Sequence, residues 1–173
     1  PVRKMMQVWT RKAGYPLVSV THVQNKLHLS QKRFYSSPMS LAKNKDTSIW
    51  PVPITFGVPK KKEVTILFDK KRMVLPAPVG PSMPKLNSGE TGFYRVAYEP
   101  HVWEWFAPSI EHKTISSLDR LGLANNIWTL TEAGLVHTSK ALTLTQSFKL
   151  ETDFTVWSEL LSNIGHVYRL FFD

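Results

Sequence analysis

The 173-residue chain is long enough for one ordinary domain or two small ones, and its 42% hydrophobic and 20% charged residues are typical of a globular protein. No apolar run approaches the roughly 20 residues that cross a bilayer, and the absence of cysteine excludes disulfides and thiolate metal sites. The net charge of +9 suggests nucleic acid, but the basic runs at 60–62 and 70–72 flank a predicted strand without any nucleic-acid motif, which favours solvated loops or a guarded sheet edge.

The first predicted element is a helix over residues 2–13. Its apolar residues recur at helical spacing on one face, a pattern typical of a core-facing stripe. Gly14 and Pro16 then supply a C-terminal glycine and a stop. Because the chain starts without a Met and inside this helix, we expect a fragment of a longer protein.

From residue 17 the apolar period changes from 3.6 to 2. The alternation predicts strands over residues 18–21, 27–30, 50–56, 64–68 and 72–76. Their spacing, with turn residues between them, is typical of a β-sandwich or barrel. Pro51 and Pro53 remove two amide donors from the same side of one strand, so that strand should lie at a sheet edge. The polar segment 36–48 and the proline-rich segment 76–84 are predicted connections.

The segment 87–98 predicts a turn followed by the last strand of the sandwich. The glycines of the turn, residues 87–92, permit positive φ. Alternation then divides the strand into an inner set and an outer set: Tyr94, Val96 and Tyr98 on one face, and Phe93, Arg95 and Ala97 on the other. Aromatic residues in both sets predict that one face closes the sandwich and the other meets a neighbouring domain. Arg95 should therefore make a structural domain contact rather than bind a ligand.

After Pro100 the apolar period becomes helical again. We expect a short helix within residues 101–113, a second helix starting at a capping box formed by Ser116 and Asp119, and a third over residues 138–148. A last helix carries one apolar stripe, which consists of Phe154, Trp157, Leu161, Ile164 and Tyr168. Short loops between successive helices predict antiparallel packing in a bundle or an α-solenoid.

No catalytic constellation is found in the sequence. The six histidines include no pair at the i, i+4 spacing of zinc ligands on a helix, and His101 with Glu104 lacks the second histidine of a zinc motif. Nucleophile elbows, P-loops and dinucleotide fingerprints are also missing from the sequence. We therefore expect this chain alone to be inactive and to hold no metal or other cofactor.

The order of several segments resembles the zinc aminopeptidases typified by puromycin-sensitive aminopeptidase and aminopeptidase N, the gluzincins. These segments are "WTRKAGYPLVSV", "LSQKRF", "WPVPITF", "KLNSGETGFYRVAYE", "SLDRLGLANNIWTLTEAG" and "LETDFTVWSEL". The resemblance covers essentially the whole chain, in order and at natural spacing. Its most specific part is the co-occurrence of W-T-x-x-x-G-Y-P with the turn before F-Y-R-V-x-Y.

The resemblance implies a mixed fold: one helix from the end of a catalytic domain (1–14), a β-sandwich domain (15–100) and the start of a solenoid-like C-terminal helical domain (101–173). The family's H-E-x-x-H with its downstream Glu, and its G-x-M-E-N motif, are expected upstream of Pro1, and neither occurs here. The implied parent uses zinc to remove N-terminal residues from peptides. This segment would then be a non-catalytic spacer that positions the helical domain and gates access to the active site.

The implied partners are the catalytic domain of the same polypeptide and, in the parent, peptide substrates. We expect the domain interface to involve Trp9 and Tyr15 on the catalytic side and Arg95 and Tyr98 on the sandwich. The lack of cysteines, of N-glycosylation sequons and of a signal or membrane-spanning segment in this piece predicts a cytoplasmic protein without a membrane partner.

Two other classes of function compete with this hypothesis. A stand-alone β-sandwich binding module could use its basic surface, with nucleic acid as one ligand, and its affinity would fall steeply with salt. A scaffold domain would instead oligomerise through the face that runs from Phe154 to Tyr168. Self-association alone does not separate a scaffold from a fragment, because a fragment would expose the same face.

Overall fold

The computed structural model describes residues 2–43, 46–56, 63–77 and 83–172. The chain forms two compact units, Pro1–Glu99 and Pro100–Asp173. The basic run 60–62 and most of the proline-rich connection, residues 78–82, lie outside the described residues, as do residues 44–45 of the polar segment. The prediction of a mixed fold in which sheets precede helices is confirmed.

The strands and the first helix of this unit lie where the apolar period predicted them, but the segment 36–48, predicted as a connection, contains a short helix. The Ser37 hydroxyl accepts the N–H of Ser40 at its start. The helices are α1 (Val2–Arg11) and α2 (Pro38–Lys43). The strands are β1 (Pro16–Val23), β2 (Lys26–Arg33), β3 (Val52–Phe56), β4 (Val64–Phe68), β5 (Arg72–Pro76) and β6 (Arg95–Tyr98). Gly14 has φ of 81°, as a glycine that ends a helix should.

The described strands of this unit form two sheets. One has the strand order β5-β2-β1-β6, in which β6 runs parallel to β1 and the other neighbours are antiparallel. The other pairs β3 with β4 in antiparallel register. Within the described residues, β3 has no full strand on its second side, which confirms the edge position predicted from Pro51 and Pro53. Gln24 and Asn25 both have positive φ and form the tight turn between β1 and β2.

Alternate residues of both sheets are buried in the core. Those on the four-stranded sheet include Val18, Val20, Leu27, Leu29 and Val96; those on the two-stranded sheet are Val52, Ile54, Phe56 and Phe68. The pattern follows from the strand period of 2, which sends every second side chain inward.

A buried glutamine ties the two sheets together. Gln31 on β2 donates from Nε2 to the carbonyls of Trp50 (2.9 Å), Phe68 (3.2 Å) and Lys70 (2.9 Å). Its Oε1 accepts the backbone N–H of Trp50 at 2.9 Å. These carbonyls lie just before β3, at the end of β4 and in the turn that leads to β5. One side chain therefore satisfies backbone groups that sheet hydrogen bonds leave unpaired.

The second unit is helical. Its helices are α3 (Val102–Trp105), α4 (Ala107–Glu111), α5 (Ser117–Glu132), α6 (Thr138–Thr145) and α7 (Phe154–Phe172). The single helix predicted within 101–113 is two short helices, because Pro108 occupies the first turn of α4 and starts a new helix there. The predicted capping box is confirmed: Ser116 Oγ accepts the N–H of Asp119 at 3.1 Å and donates to its carboxylate at 2.8 Å.

Candidate functional site

An aromatic cluster joins α1 to the start of β6. The ring of Phe93 lies 6.5 Å from that of Trp9 and 4.8 Å from that of Tyr15, centroid to centroid. We call these three residues the aromatic clamp. Phe93 is nonetheless 69% exposed. An aromatic side chain that contacts two rings and still faces solvent presents a large apolar surface with a fixed orientation.

The turn before Phe93 is held in one conformation by Asn87. Asn87 has φ of 58°, and its side chain both accepts the N–H of Gly92 at 2.7 Å and donates to the carbonyl of Gly92 at 3.0 Å. Gly89 and Glu90 also have positive φ. Of the two glycines that permit positive φ in this turn, Gly89 adopts it and Gly92 does not, while the non-glycine residues Asn87 and Glu90 do.

Gly92 is required for space. A Cβ placed on it would lie 2.3 Å from Cε1 of Tyr94 and 2.9 Å from Oδ1 of Asn87. The ring of Tyr94 therefore packs directly over the glycine, and burial of that ring raises the pKa of Tyr94. The close packing fixes the chain where Phe93 leaves the turn.

The four residues predicted to form an interdomain contact fall into two groups. Trp9 donates from Nε1 to the carbonyl of Pro51 at 3.1 Å, and the ring of Tyr15 stacks on Phe34 at 5.4 Å. Arg95 is half-buried and lines a cleft of about 180 Å³ together with Tyr15 and the turn residues. Trp9, Tyr15 and Arg95 thus lie around the clamp.

Tyr98 belongs to the interior. It is only 6% exposed, and its Oη accepts the backbone N–H of Leu86 at 2.8 Å. It lies on the same strand face as Val96, opposite Arg95. Phe93 was not among the residues predicted for the interdomain contact. Its position on the same strand face as Arg95 could have identified it.

The helical unit has a buried ion pair at the start of α7. Arg120 donates to both oxygens of Glu151, from Nε at 2.6 Å and from Nη2 at 2.9 Å, and from Nη1 to the carbonyl of Ile115 at 2.7 Å. Glu151 Oε1 also accepts the backbone N–H groups of Thr152 and Asp153. The hydrogen bond from Arg120 holds the pKa of Glu151 at about 2 against an ordinary 4.5. These contacts connect α5 to the segment before α7.

The apolar stripe of α7 is not the face that the helix buries. The buried side chains are Val156, Leu160 and Asn163, whereas Leu161 is 60% exposed and Tyr168 is 61% exposed. Beside the stripe, α5 and α7 enclose a groove of about 670 Å³. Its lining residues include Trp128, Thr131, Asn163, Val167 and Leu170. The unit therefore has an apolar surface that its own described helices leave uncovered.

The described ranges contain no group of three His, Asp or Glu side chains arranged to hold a metal ion. Zinc, which the resemblance implies for the parent, therefore has no ligand set in the described part of this chain. In the same part of the chain, no helix has the length and apolar character needed to cross a membrane.

Comparison with protein families matches residues 84–173 to the ERAP1-like C-terminal domain. Among curated relatives, glutamyl aminopeptidase of Rattus norvegicus is 32% identical over 181 residues, which cover 100% of this chain and 19% of the relative. Aminopeptidase 2 of Candida albicans is 28% identical over 167 residues, which cover 96% of this chain and 18% of the relative.

A third relative is the Tricorn protease-interacting factor F2 of Thermoplasma volcanium, 29% identical over 170 residues that cover 98% of this chain and 20% of the relative. The chain thus spans about a fifth of the length of the relatives it matches, and the similarity runs through both of its compact units.

Proposed function

Since the chain belongs to the aminopeptidase family through its ERAP1-like C-terminal domain, we infer that it is part of a zinc-dependent enzyme that removes residues from the N-termini of peptides. The observation that carries this proposal is the match along the whole chain to relatives named as aminopeptidases. A zinc ion bound in the parent would supply Lewis-acid chemistry for hydrolysis of the N-terminal peptide bond, and a glutamate would be the general base. Those residues lie outside this sequence.

Within that parent, this chain is the coupling segment. Residues 1–14 end the catalytic domain, residues 15–100 form the sandwich, and residues 101–173 begin the helical domain. The sandwich is suited to be a stiff spacer because Gln31 and the shared core lock its two sheets together. A stiff spacer fixes the angle at which the helical domain meets the catalytic domain, so that peptides enter and folded proteins do not.

The aromatic clamp, together with the hydrogen bond from Trp9 to Pro51, holds α1 on the sandwich. Trp9 and Tyr15 contact Phe93 from the helix side, and Arg95 lines the cleft beside them. Interfaces between domains of one chain are polar at their rims and depend on a few buried aromatic anchors. The clamp and Arg95 therefore position the end of the catalytic domain on the sandwich, and the partner of this surface is the catalytic domain of the same polypeptide. A cytoplasmic location is part of the same proposal.

The 173-residue chain itself can be used to test the proposal that this segment is non-catalytic. The purified chain should not hydrolyse aminoacyl anilides above the buffer rate, and after incubation with zinc and desalting it should retain much less than one zinc per chain. A stoichiometric zinc, or hydrolysis that a chelator abolishes, would contradict the proposal directly.

A further inference from the structure

The outer face of the four-stranded sheet is strongly basic. None of the residues in β1, β2, β5 or β6 is an Asp or a Glu. Lys26 and Lys32 on β2 and Arg72 on β5 are all exposed. They share one face, because Arg72 lies opposite Ser30 in register and the buried residues of β2 alternate with Lys26, Ser30 and Lys32.

Two exposed valines belong to the same face. Val23 lies opposite Lys26 on the neighbouring strand, and Val74 lies opposite His28. Val23 is 49% exposed and Val74 is 52% exposed. We call Lys26, Lys32, Arg72, Val23 and Val74 together the basic face.

The basic face is broad. Lys26 and Lys32 are six residues apart on one strand, which places their Cα atoms about 20 Å apart. Arg72 lies opposite Ser30 and is therefore a diagonal neighbour of Lys32 on the adjacent strand, about 7–8 Å away. The sequence alone does not place these residues together, because β2 and β5 are separated by about 40 residues of chain.

Three carboxylates lie near this face. Asp46 forms an ion pair with Arg33. Glu99 accepts the backbone N–H of His22 at 3.2 Å, and Asp69 is exposed in the turn that precedes β5. The three cations of the basic face lie on strands that carry no acidic residue, so the strands themselves contribute only positive charge.

Contrary to the expectation of no membrane partner, we propose that the basic face binds the surface of a bilayer that contains acidic phospholipids. A wide sheet face with cations about 7–20 Å apart suits a planar array of negative headgroups. The two valines add apolar contact at the level of the headgroups. Between the cations the outward residues are Ser, Thr, His and Val rather than aromatics, so the face lacks the stacking platforms that single-stranded nucleic acids use. The proposal is independent of the aminopeptidase assignment.

The test is sedimentation of the full chain with vesicles of 30% phosphatidylserine and 70% phosphatidylcholine, and with pure phosphatidylcholine vesicles. At 50 mM salt we expect binding to the acidic vesicles only, and weaker binding at 500 mM salt. Each basic residue near such a surface contributes about fivefold to partitioning. The variant Lys26→Gln, Lys32→Gln, Arg72→Gln should therefore bind about 100-fold more weakly.

A matched control removes the same charge elsewhere. Arg3→Gln, Arg11→Gln, Arg169→Gln changes three exposed cations and lowers the net charge from +9 to +6, as the first variant does (9 − 3 = 6). It should keep most of the vesicle binding, and thermal melts should show that both variants fold. Equal losses in the two variants, no binding to acidic vesicles at 50 mM salt, or tighter binding of a 20-base-pair DNA duplex through the same three residues would overturn the proposal.

Discussion

At the residue scale, Gly92 decides the geometry of the turn that presents Phe93. We expect Gly92→Ala to lower the free energy of unfolding by at least about 2 kcal/mol, because the added methyl group overlaps the ring of Tyr94. Gly165→Ala on α7 is the matched control: its Cβ meets no atom within 4 Å, and alanine should stabilise the helix by up to about 1 kcal/mol. Urea unfolding followed by circular dichroism measures the free energy of unfolding of both variants. A Gly92→Ala chain as stable as the wild type would contradict the account.

The free energy of unfolding should depend on pH through Glu151. Its pKa is about 2 in the folded chain against an ordinary 4.5, so the unfolded state binds more protons between these values. The stabilisation is fully present above pH 4.5 and is lost as the pH falls toward 2. Over this pH range the free energy of unfolding falls by about 3 kcal/mol.

Unfolding curves at pH 7, 4.5 and 3 test this dependence. Glu151→Gln should lose about 3–5 kcal/mol at pH 7, because Arg120 is left buried without its partner, and should lose this part of the pH dependence. Glu132→Gln, whose side chain is 60% exposed, is the control and should behave like the wild type. Glu151→Gln with the full wild-type pH dependence would show that another group is responsible.

Single residues also show what the sequence could and could not predict. The capping box at Ser116 and Asp119 and the positive φ of Gly14 were predictable, because both depend on neighbours within a few positions. The need for a glycine at position 92 was not, since it comes from the ring of Tyr94 folding back over the turn.

At the scale of elements, α7 buries the side that holds Leu160 and exposes the side that holds Leu161. The two leucines are adjacent in sequence but 1% and 60% exposed. Leu160→Lys should unfold the helical unit, because it buries a charge without a partner. Leu161→Lys should change the unfolding midpoint little and should weaken any association through the exposed apolar stripe.

Circular dichroism and analytical ultracentrifugation distinguish these outcomes. A folded Leu160→Lys chain, or an unfolded Leu161→Lys chain, would show that the buried side of α7 has been assigned wrongly. The period of 3.6 predicted this helix and its stripe, but it could not say which apolar side is buried. That choice depends on the helices packed against α7, which sequence spacing does not identify.

The strands could be predicted from the sequence, but their pairing could not. In β2 and β3 the alternation of buried and more exposed residues follows directly from the strand period, so the sequence indicates both the strand and its inner face. The parallel pairing of β6 with β1 was not predictable, because the two strands are more than 70 residues apart. Without that pairing, the contact of Phe93 with Trp9 and Tyr15 could not be foreseen either.

At the scale of the whole molecule, the proposed coupling role depends on three features of the chain. It has a cross-linked sandwich, an apolar surface on its helical unit and an aromatic contact to its first helix. The resemblance predicted the family from the sequence alone. The roles proposed for Trp9, Tyr15, Arg95 and Tyr98 stay predictions, and Phe93 joins them as the residue that contacts two of the four.

The most direct measurement of this coupling role is the activity of the intact parent enzyme carrying Phe93→Asp. Phe93 is 69% exposed, so the variant should fold, and its zinc content should stay that of the wild type. We predict that kcat/KM for a ten-residue peptide falls about tenfold or more, because a charge in the aromatic clamp releases α1 from the sandwich. Phe93→Tyr should keep most of the activity, and Leu118→Asp, at a 48% exposed position on α5, should leave it unchanged. A Phe93→Asp enzyme with wild-type kcat/KM would contradict the account.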